Sequence, residues 1–356
     1  MNYIGSKLSL LNFIEESIRE VTDKKSYTFC DLFAGTGSVG VYFKKKGYTI
    51  IANDIQYYSY VLNKHYLENN DNLQFNGLVK LLPSIKKVDN KDRPKIICDY
   101  LSNIDKYKGF IYSNYCIGGT KEKEFKRQYF SDENGMRCDA IRKMIGEWKD
   151  KSIINSAEYY FLLTSLLESI DRYANTASVY GAFLKKLKKS AQRQLYIKPA
   201  DIIYGNKVNK VFNYDANEIS KNIKSDILYL DPPYNQRQYA TNYHILETIA
   251  KNDSPKISGK TGLRDYKNQK SMYCSRLKVK KVFSELIKNA NTSYIFLSYN
   301  NEGIMTQDDI IEIMSQRGEY GVFKKEHNRF KANKFSNKNA NSNKTTEYLH
   351  YVVVKN

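Results

Sequence analysis

The residues best suited to chemistry form a turn, Asp231-Pro232-Pro233-Tyr234, directly after a short apolar run at 227–230. Because proline has no N–H and a fixed φ angle, two in succession make a stiff turn whose carbonyl oxygens are free to accept hydrogen bonds. Asp231 adds a charged acceptor, and Tyr234 adds a flat ring for stacking. These groups are suited to holding an exocyclic amine still while a second molecule reacts with it. The alternative is an ordinary strand-to-loop turn, since Pro-Pro is also a strong structure breaker.

A second group of residues surrounds a glycine-rich loop between a predicted strand and a predicted helix. Gly35 and Gly37 would let the backbone approach a ligand, and the N-terminus of the following helix would supply N–H donors. Asp54 ends the next predicted strand, where an acid can accept both hydroxyls of a ribose. The pattern therefore predicts a nucleoside site. A plain tight turn is the alternative, and it is less favoured once Asp54 and the Asp231 turn follow in order.

The same loop leaves two kinds of nucleoside ligand open. Gly35, Gly37 and Gly40 fit the dinucleotide fingerprint, so a nicotinamide dehydrogenase is one interpretation, although it would make the Pro-Pro turn incidental. Asp31 favours another, because the strand before a pyrophosphate site is normally apolar, whereas an acid suits a cation. The amino group or the sulfonium of S-adenosylmethionine is such a cation.

Three residues outside the loop are further candidates for this site. Lys7 is a candidate to contact a cofactor carboxylate, and Tyr3 is a candidate to pack on the cofactor; the alternative is that both are surface residues. Asp215 precedes the Asp231 strand and is a candidate to face the adenine of the cofactor from a strand end. A surface acid is the alternative for Asp215.

Alternating strands and helices must position these residues. An amphipathic helix is predicted at 8–21, and strands are predicted at 27–33, 49–52, 211–214, 227–230 and 294–297. Strands that alternate with helices indicate an α/β fold with a parallel, doubly wound sheet. The last part of the chain predicts a hairpin with arms at 321–330 and 347–354, joined by an Asn/Lys/Ser-rich stretch.

Helical periodicity dominates between about 70 and 210, where the sequence predicts an inserted, mainly helical lobe. This division gives one domain at 1–69 and 211–356 and an inserted lobe at 70–210. The interval 251–280 has no clear periodicity and predicts a long surface loop, a class that is usually functional or disordered.

The charge of the chain favours a polyanionic partner. Its 356 residues include 57 Lys and Arg against 38 Asp and Glu, a formal net charge of +19, together with 31 Tyr and 16 Phe. Cations beside aromatic rings suit contact with phosphates and stacking on bases, which predicts a nucleic-acid partner. An A·T-rich genome would produce the same enrichment without any function. The residues expected to contact DNA are Arg172, Asn175, Tyr180, Lys185 and Lys186 in the lobe and Arg237 and Tyr239 after the Asp231 turn.

Cysteine usage favours a reducing compartment. The five cysteines are odd in number and include no C-x-x-C pair, which argues against a disulfide framework or a zinc site. Residues 1–7 do not have the pattern of a signal peptide, and no apolar run is long enough to span a membrane. We therefore expect a cytoplasmic protein with no metal cofactor and no membrane contact.

The motifs and their order resemble those of the Dam-like DNA adenine N6-methyltransferases. The residues that carry the resemblance are Tyr3-Ile4-Gly5-Ser6-Lys7, Asp31-Leu32-Phe33-Ala34-Gly35-Thr36-Gly37, Asp54 and Asp231-Pro232-Pro233-Tyr234. Within this group the chain is most similar to the methylases of FokI-like restriction-modification systems. The resemblance covers most of 1–60 and 211–356 and is looser in the lobe, so the GATC preference of Dam is not carried over. Dam also has a tryptophan where this chain has Tyr3.

The resemblance implies a Rossmann-like, S-adenosylmethionine-dependent methyltransferase that acts on double-stranded DNA. It implies that 1–69 and 211–356 form the catalytic domain and that 70–210 is the target-recognition lobe. It implies that an adenine is flipped out of the duplex into a pocket over the Asp231 turn, whose four residues are the catalytic group. With Asp215 added from the strand pattern, the expected cofactor contacts are Tyr3, Lys7, Asp31, Phe33, Gly35, Gly37, Asp54, Asp215 and Asp231. A cognate restriction endonuclease that acts separately is a candidate partner.

The chemistry of the turn agrees with that implication. The lone pair of the adenine N6 amine is delocalised into the ring, and the Asp231 carboxylate and the Pro232 carbonyl would localise it on the nitrogen. Because an exposed aspartate has a pKa of about 4, Asp231 is expected to act as a hydrogen-bond acceptor and not as a strong base. Two alternatives stay open: an RNA adenine methyltransferase, and a non-catalytic DNA-binding module with a degenerate methylase fold. The large lobe favours duplex DNA over RNA, and the intact Gly35, Gly37 and Asp54 argue against degeneracy.

Overall fold

The computed structural model describes residues 5–328 and 344–355, so Tyr3 lies outside the described residues. The chain forms two compact units. The helical unit consists of Lys64–Tyr204 and Ala240–Lys267, and the sheet unit consists of 5–63, Gly205–Tyr239, 268–328 and 344–355. These bounds differ from the predicted ones, chiefly because 240–267 groups with the helical unit.

The strands of the described residues are, in chain order, β1 (Thr28–Asp31), β2 (Thr49–Asn53), β3 (Lys210–Phe212), β4 (Lys224–Leu230), β5 (Ile257–Ser258), β6 (Leu263–Arg264), β7 (Asn291–Asn300), β8 (Gly318–Asn328) and β9 (Lys344–Val354). The α-helices are α1 (Leu11–Val21), α2 (Ser38–Lys45), α3 (Tyr57–Asn63), α4 (Arg93–Ser102), α5 (Phe110–Tyr115), α6 (Asp132–Asp150), α7 (Ser156–Tyr173), α8 (Lys189–Gln192), α9 (Ala216–Ser220), α10 (Tyr239–Asn242), α11 (His244–Lys251), α12 (Val279–Asn289) and α13 (Gln307–Ser315). Short 3-10 turns lie at Leu8–Leu10, Asn76–Lys80, Pro83–Ile85, Gly118–Thr120, Lys267–Gln269 and Met272–Cys274, and a π-helical turn lies at Lys64–Glu68.

The described part of the sheet unit contains one seven-stranded sheet in the order β3-β2-β1-β4-β7-β9-β8. The first five strands in this order pair in parallel, and β9 pairs antiparallel with both β7 and β8. The predicted α/β class and the five predicted strands are confirmed, as is the antiparallel pairing of the two arms of the terminal hairpin. Residues 329–330 of the first predicted arm and the Asn/Lys/Ser-rich stretch that joins the arms lie outside the described residues. The strand order reverses at β1, which pairs with β2 on one side and β4 on the other. In open α/β sheets such a reversal opens a crevice at the carboxyl ends of the strands, where ligands bind.

Burial on both faces explains why the central strands are apolar at successive positions. Phe29 and Cys30 of β1 are fully buried, and the Phe29 ring stacks on Phe43 of α2 with the ring centroids 4.1 Å apart. Parallel strands covered by helices need apolar residues on both faces. Truncating such a ring to alanine typically costs about 3–5 kcal/mol. Asp31 breaks the pattern, because this carboxyl group is buried at the end of the same strand.

Two long helices form the centre of the helical unit. The α6 helix begins after Ser131, whose side chain accepts a hydrogen bond from the Asn134 N–H, and α7 begins with a capping box between Asn155 and Glu158. Such caps satisfy N–H groups that a helix start leaves unpaired, and each contributes about 1 kcal/mol. The buried side of α7 includes Phe161, Leu162, Leu163, Leu166, Leu167 and Ile170.

Some features are not found in the described ranges. No helix there is long and apolar enough to cross a membrane. No cluster of His, Cys, Asp and Glu side chains within the same ranges has the arrangement needed to hold a metal ion. All five cysteines are free thiols with buried side chains.

Candidate active site

A cavity of about 780 Å³, including its open mouth, lies in the sheet unit at the carboxyl ends of β1 to β4. Its size is within the range of small-molecule sites. Of the predicted site residues, the cavity brings together Phe33, Asp54, Asp215, Asp231, Pro233, Tyr234 and Tyr239. The other predicted residues of the sheet unit that the structure describes lie outside this lining, namely Lys7, Asp31, Gly35, Gly37, Pro232 and Arg237.

The carboxylate of Asp54 ties the glycine loop to the second strand. Its Oδ2 accepts a hydrogen bond from the Gly35 N–H at 2.8 Å, and its Oδ1 accepts one from the Gln56 N–H at 2.8 Å. Gly37 has a left-handed φ of +80°, and a Cβ there would lie 2.6 Å from Asn63 Oδ1, so the position requires glycine. Asn63 Nδ2 donates to the Gly35 carbonyl at 3.0 Å. The loop is therefore held from two sides while Asp54 lines the cavity.

Asp31 closes β1 as a buried carboxyl group that is 1 % exposed. Its Oδ1 accepts a hydrogen bond from the Phe33 N–H at 3.3 Å. Burial raises the pKa of Asp31 well above its usual range, the charge of Asp231 raises it further, and the Phe33 hydrogen bond opposes the rise. Asp31 is thus a buried carboxyl group outside the lining of the cavity, and it is sensitive to the charge of Asp231.

Asp231 follows β4 directly and lines the cavity with a side chain that is 19 % exposed. Burial raises the pKa of Asp231 to about 6, an effect that the positive charge of Lys7 opposes and the negative charge of Glu347 reinforces. This corrects the expectation of an ordinary exposed aspartate with a pKa of about 4. The Asp231 carboxylate is ionised at neutral pH, but its pKa lies only about one pH unit below neutrality.

Lys7 is buried against two carboxylates. Its Nζ lies 2.7 Å from Glu347 Oε1 and 3.2 Å from Asp231 Oδ1. Burial lowers the pKa of a lysine, but the charges of Asp231 and Glu347 outweigh it, so the pKa of Lys7 is raised and the ammonium stays charged. The contact of Lys7 with a cofactor carboxylate stays a prediction, while its contact with Asp231 is a feature of the fold.

The rest of the turn is fixed by its backbone and by packing. Pro232 is buried, whereas Pro233 and Tyr234 are partly exposed and line the cavity. The Tyr234 carbonyl accepts a hydrogen bond from the Ile304 N–H at 2.9 Å. The Tyr234 ring packs against the apolar core of the sheet unit. A stiff turn with one ring anchored on the core can present that ring to a flat ligand.

Comparison with known proteins decides what this site belongs to. Residues 3–313 match the family described as D12 class N6 adenine-specific DNA methyltransferases. The chain belongs to this family. The type II methyltransferase M.NlaIII of Neisseria lactamica is 48% identical over 352 residues, which cover 98% of this chain and 98% of that protein.

Two further relatives of this D12-class methyltransferase cover nearly the whole chain. M.CviAII of Paramecium bursaria Chlorella virus 1 is 36% identical over 100% of this chain and 99% of its own length. M.FokI of Planomicrobium okeanokoites is 38% identical over 99% of this chain, which spans only 52% of the length of M.FokI. The predicted resemblance to restriction-modification adenine methylases is confirmed, and dependence on S-adenosylmethionine is general for the family. The nicotinamide dehydrogenase interpretation is overturned by the same matches.

Several lining residues of the D12-class methyltransferase were not predicted. Gln238 Nε2 donates to the Ser271 carbonyl at 3.0 Å, and the Ser271 N–H donates to Gln238 Oε1 at 2.8 Å. The Tyr273 ring meets the Phe33 ring edge-on, with the centroids 5.0 Å apart. The end of the 251–280 interval therefore forms one wall of the cavity. Its length was the only sequence signal of such a role. The unpredicted lining also includes Ile55, Gln56 and Gln269.

The residues predicted to contact DNA divide into exposed and partly buried groups. Arg172, Lys185 and Lys186 of the helical unit and Arg237 of the sheet unit are exposed. Tyr239 is half-buried and lines the cavity, where its hydroxyl lies 3.1 Å from the position of a Cβ on Gly5. These placements are compatible with contact to a ligand, and the contacts themselves stay predictions.

Asn175 and Tyr180 are different, because both side chains are completely buried in the helical unit. Asn175 Nδ2 donates to two backbone carbonyls at 3.0 and 2.9 Å, and its Oδ1 accepts from the Lys188 N–H at 2.9 Å. The Tyr180 hydroxyl donates to Asp171 Oδ1 at 2.9 Å. This corrects the expectation that they contact DNA, since their polar atoms are occupied inside the unit. They organise the segment that carries the exposed lysines.

Proposed function

We propose that this D12-class enzyme transfers a methyl group from S-adenosylmethionine to N6 of an adenine flipped out of double-stranded DNA. We also propose that it is the modification enzyme of a restriction-modification system. The observation that carries the proposal is that Asp231, at the end of β4, lines the same cavity as Asp54 after β2. An acceptor for the amine and an acceptor for a ribose therefore share one space.

The cavity suits the cofactor in three respects. The Asp54 carboxylate lines the cavity, and carboxylate oxygens are acceptors suited to the hydroxyls of a ribose. Apolar side chains for a purine ring are supplied by Leu32, Phe33, Ile55, Ala216 and Tyr273. Within the described ranges, Gln56 Oε1 is a buried acceptor with no hydrogen-bond partner, as expected of a group that awaits a ligand N–H.

The residues of the turn would prepare the amine. S-adenosylmethionine, when bound, supplies a methyl group on a sulfonium with a good leaving group. The Asp231 carboxylate and the Pro232 carbonyl would accept the two N6 hydrogens and localise the lone pair on the nitrogen. Tyr234 would stack on the base, a contact that contributes about 1–3 kcal/mol in comparable sites. Alignment and electrostatics then supply the catalysis, without a covalent enzyme intermediate.

We propose that the helical unit is the target-recognition lobe. It carries the exposed Arg172, Lys185 and Lys186, and Arg237 adds an exposed cation directly after the catalytic turn. Phosphate contacts by such side chains would supply salt-sensitive affinity and help to offset the few kcal/mol needed to flip a base. The formal net charge of +19 supports the same assignment.

Two further parts of the proposal concern the setting of the enzyme. A cognate restriction endonuclease that acts separately is its proposed counterpart, because curated relatives carry the names of type II methyltransferases. A reducing cytoplasm is the proposed compartment, because all five cysteines are free thiols. Protection of host DNA from a cleavage activity encoded nearby tests the first part.

Transfer of a labelled methyl group tests the central proposal. With duplex DNA and methyl-labelled S-adenosylmethionine, we expect label in DNA that is recovered as N6-methyladenine. Asp231→Ala is expected to lower the single-turnover rate by at least about 10³-fold, because an acceptor aimed at the reacting amine is lost. The control is Asp150→Asn, which removes a charge from an exposed position at the end of α6 and should leave the rate unchanged.

Each other outcome contradicts a stated part of the proposal. Activity retained in Asp231→Ala contradicts the role of the turn. Label in RNA and not in DNA contradicts the duplex substrate. A wild-type protein that shows neither label nor heat on titration with the cofactor would be a degenerate DNA-binding module.

A further inference from the structure

A buried cluster of charged side chains lies where β4, β7 and β9 run side by side. Lys7 Nζ is 2.7 Å from Glu347 Oε1 and 3.2 Å from Asp231 Oδ1. Ser298 of β7 donates its hydroxyl to the same Glu347 oxygen at 2.5 Å. Glu347 is 3 % exposed and Lys7 is 5 % exposed, so solvent screens these charges weakly. No sequence motif includes Glu347 or Ser298.

The strand register explains why these residues meet. The last residue of β4 pairs with Leu297 of β7, so Asp231 comes next to Ser298. Leu349 of β9 is opposite Ser298, and Glu347 lies two residues earlier on the same face of the sheet. Glu347 is thus built into the sheet two strands away from the turn, opposite Asn300 and two residues beyond the level of Ser298.

Asp231 and Glu347 both contact the single Lys7 ammonium, so the two carboxylates compete for its charge. Coulomb energy falls with distance, and the shorter contact of the ammonium is with Glu347. Asp231 therefore receives the smaller share of the positive charge and keeps more negative charge beside the cavity. A fully neutralised carboxylate would be a weak acceptor for an amine, and a carboxylate without any cation would protonate more readily because it is buried.

We propose that Glu347 is a positioning residue for methyl transfer, which by taking the shorter of the two Lys7 ion pairs sets how much positive charge reaches the Asp231 carboxylate. The inference rests on the proposed role of Asp231 as acceptor for the adenine amine. Without the charge of Glu347, Lys7 would pair with Asp231 alone, which favours ionisation but weakens the acceptor. With it, Asp231 stays ionised at neutral pH and keeps an electron-rich edge for the N6 hydrogen.

Other ionisable groups surround the cluster and must be separated from it. Burial and the charge of Asp231 raise the pKa values of Asp31 on β1 and Tyr229 on β4. Burial also raises the pKa of Tyr234, and it lowers the pKa of His350 on β9 to about 4. Asp31 is thus the neighbouring carboxyl group whose ionisation could be mistaken for that of Asp231.

The pH dependence of single-turnover methylation, with DNA and S-adenosylmethionine at saturation, tests the inference. The wild-type rate is expected to rise through a midpoint near the Asp231 pKa of about 6. Glu347→Gln keeps an oxygen for Lys7 but removes the negative charge, so the midpoint should move to a lower pH by about one pH unit. The plateau rate should fall about tenfold, because the acceptor is weaker.

Two further variants test the sign of the effect. Lys7→Met removes the cation and should move the midpoint above that of the wild type, and adding Glu347→Gln should bring it back down. Ser298→Ala leaves Glu347 Oε1 without the hydroxyl donor, so Lys7 should bind Glu347 more strongly and the midpoint should move up. Ser298→Ala also provides the test if Glu347→Gln unfolds below the assay temperature. In that case, an unchanged pH midpoint for Ser298→Ala would overturn the inference.

The controls separate charge from structure. Glu319→Gln removes the same charge from an exposed position on β8 and should leave the profile unchanged. A rate for Glu347→Gln that falls equally at every pH, with an unmoved midpoint, would mean a structural role only and overturn the inference. The inference would also be overturned if Asp31→Asn abolished the pH dependence of the rate while Glu347→Gln left the pH midpoint unchanged. If Asp231→Ala is inactive but Glu347→Gln leaves the pH midpoint unchanged, the inference about Glu347 fails while the proposed function stands. If Asp231→Ala is active, the proposed function itself fails.

Discussion

The two units use buried polar side chains in opposite ways. In the sheet unit, Asp31 and Lys7 are buried beside a cavity, and Asp231 lines the cavity with a side chain that is 19 % exposed. Two carboxylates there share the single Lys7 ammonium. In the helical unit, Asn175 and Tyr180 are buried as deeply, yet their polar atoms bond to partners within the unit. Burial of a polar group therefore indicates chemistry only where its partners leave charge unbalanced next to open space.

The largest expected effect tests the sheet-unit side of this contrast. Asp54→Asn should weaken S-adenosylmethionine binding about 100-fold, because an amide offers one acceptor oxygen where the carboxylate offers two, and charged hydrogen bonds contribute about 1.5–3 kcal/mol. Isothermal titration measures the affinity, and the melting temperature should change by no more than a few degrees, as expected for a loss of about 1 kcal/mol. Asp71→Asn, at an exposed position of the helical unit, is the control. If Asp54→Asn had a much lower melting temperature but an unchanged affinity for S-adenosylmethionine, Asp54 would be a structural residue and the contrast between the two units would not hold.

An intermediate effect tests the helical-unit side. Asn175→Ala removes three hydrogen bonds from a buried position and should lower the free energy of unfolding by about 2–3 kcal/mol. Urea unfolding measures this loss, and affinity for S-adenosylmethionine should stay unchanged. Asn206→Ala, at an exposed position, should leave both quantities unchanged. Equal stability of Asn175→Ala and Asn206→Ala would mean that the buried network is not structural.

The smallest expected effect sharpens the role of the exposed lysines that this network supports. Replacing Lys185 and Lys186 together by Gln should reduce the slope of log affinity for duplex DNA against log salt by about 1 per lysine. Fluorescence anisotropy over a range of salt concentrations measures the slope. The matched control replaces Lys24 and Lys25, an exposed adjacent pair of the sheet unit. An equal change in slope for the two lysine pairs would show that Lys185 and Lys186 contribute no more to DNA binding than other exposed lysines.

Much of the site was predictable because its signals are local. Asp31, Asp54 and Asp231 each end or follow a strand whose apolar run is visible in the sequence, and parallel strands bring their carboxyl ends to one edge of a sheet. The left-handed φ of Gly37 explains why the loop needs glycine at that position. Local pattern and sheet geometry together therefore predict the cavity.

The remaining features depend on pairing between distant segments. Glu347 reaches Lys7 only because β9 pairs with β7, and no local pattern specifies that register. The buried state of Asn175 depends on carbonyls that the chain folds around it, whereas its sequence context is that of a polar loop. The grouping of 240–267 with the helical unit is of the same kind, since the boundary is set by packing and not by composition.

The burial of all five cysteines has a practical consequence for solution studies. Burial raises the pKa of the Cys30, Cys98, Cys116, Cys138 and Cys274 thiols, so the reactive thiolate is scarce at neutral pH. The five native cysteines are therefore expected to react slowly with maleimide dyes. A single cysteine introduced at Leu277, which is 96 % exposed, would carry a fluorophore without removal of the native ones.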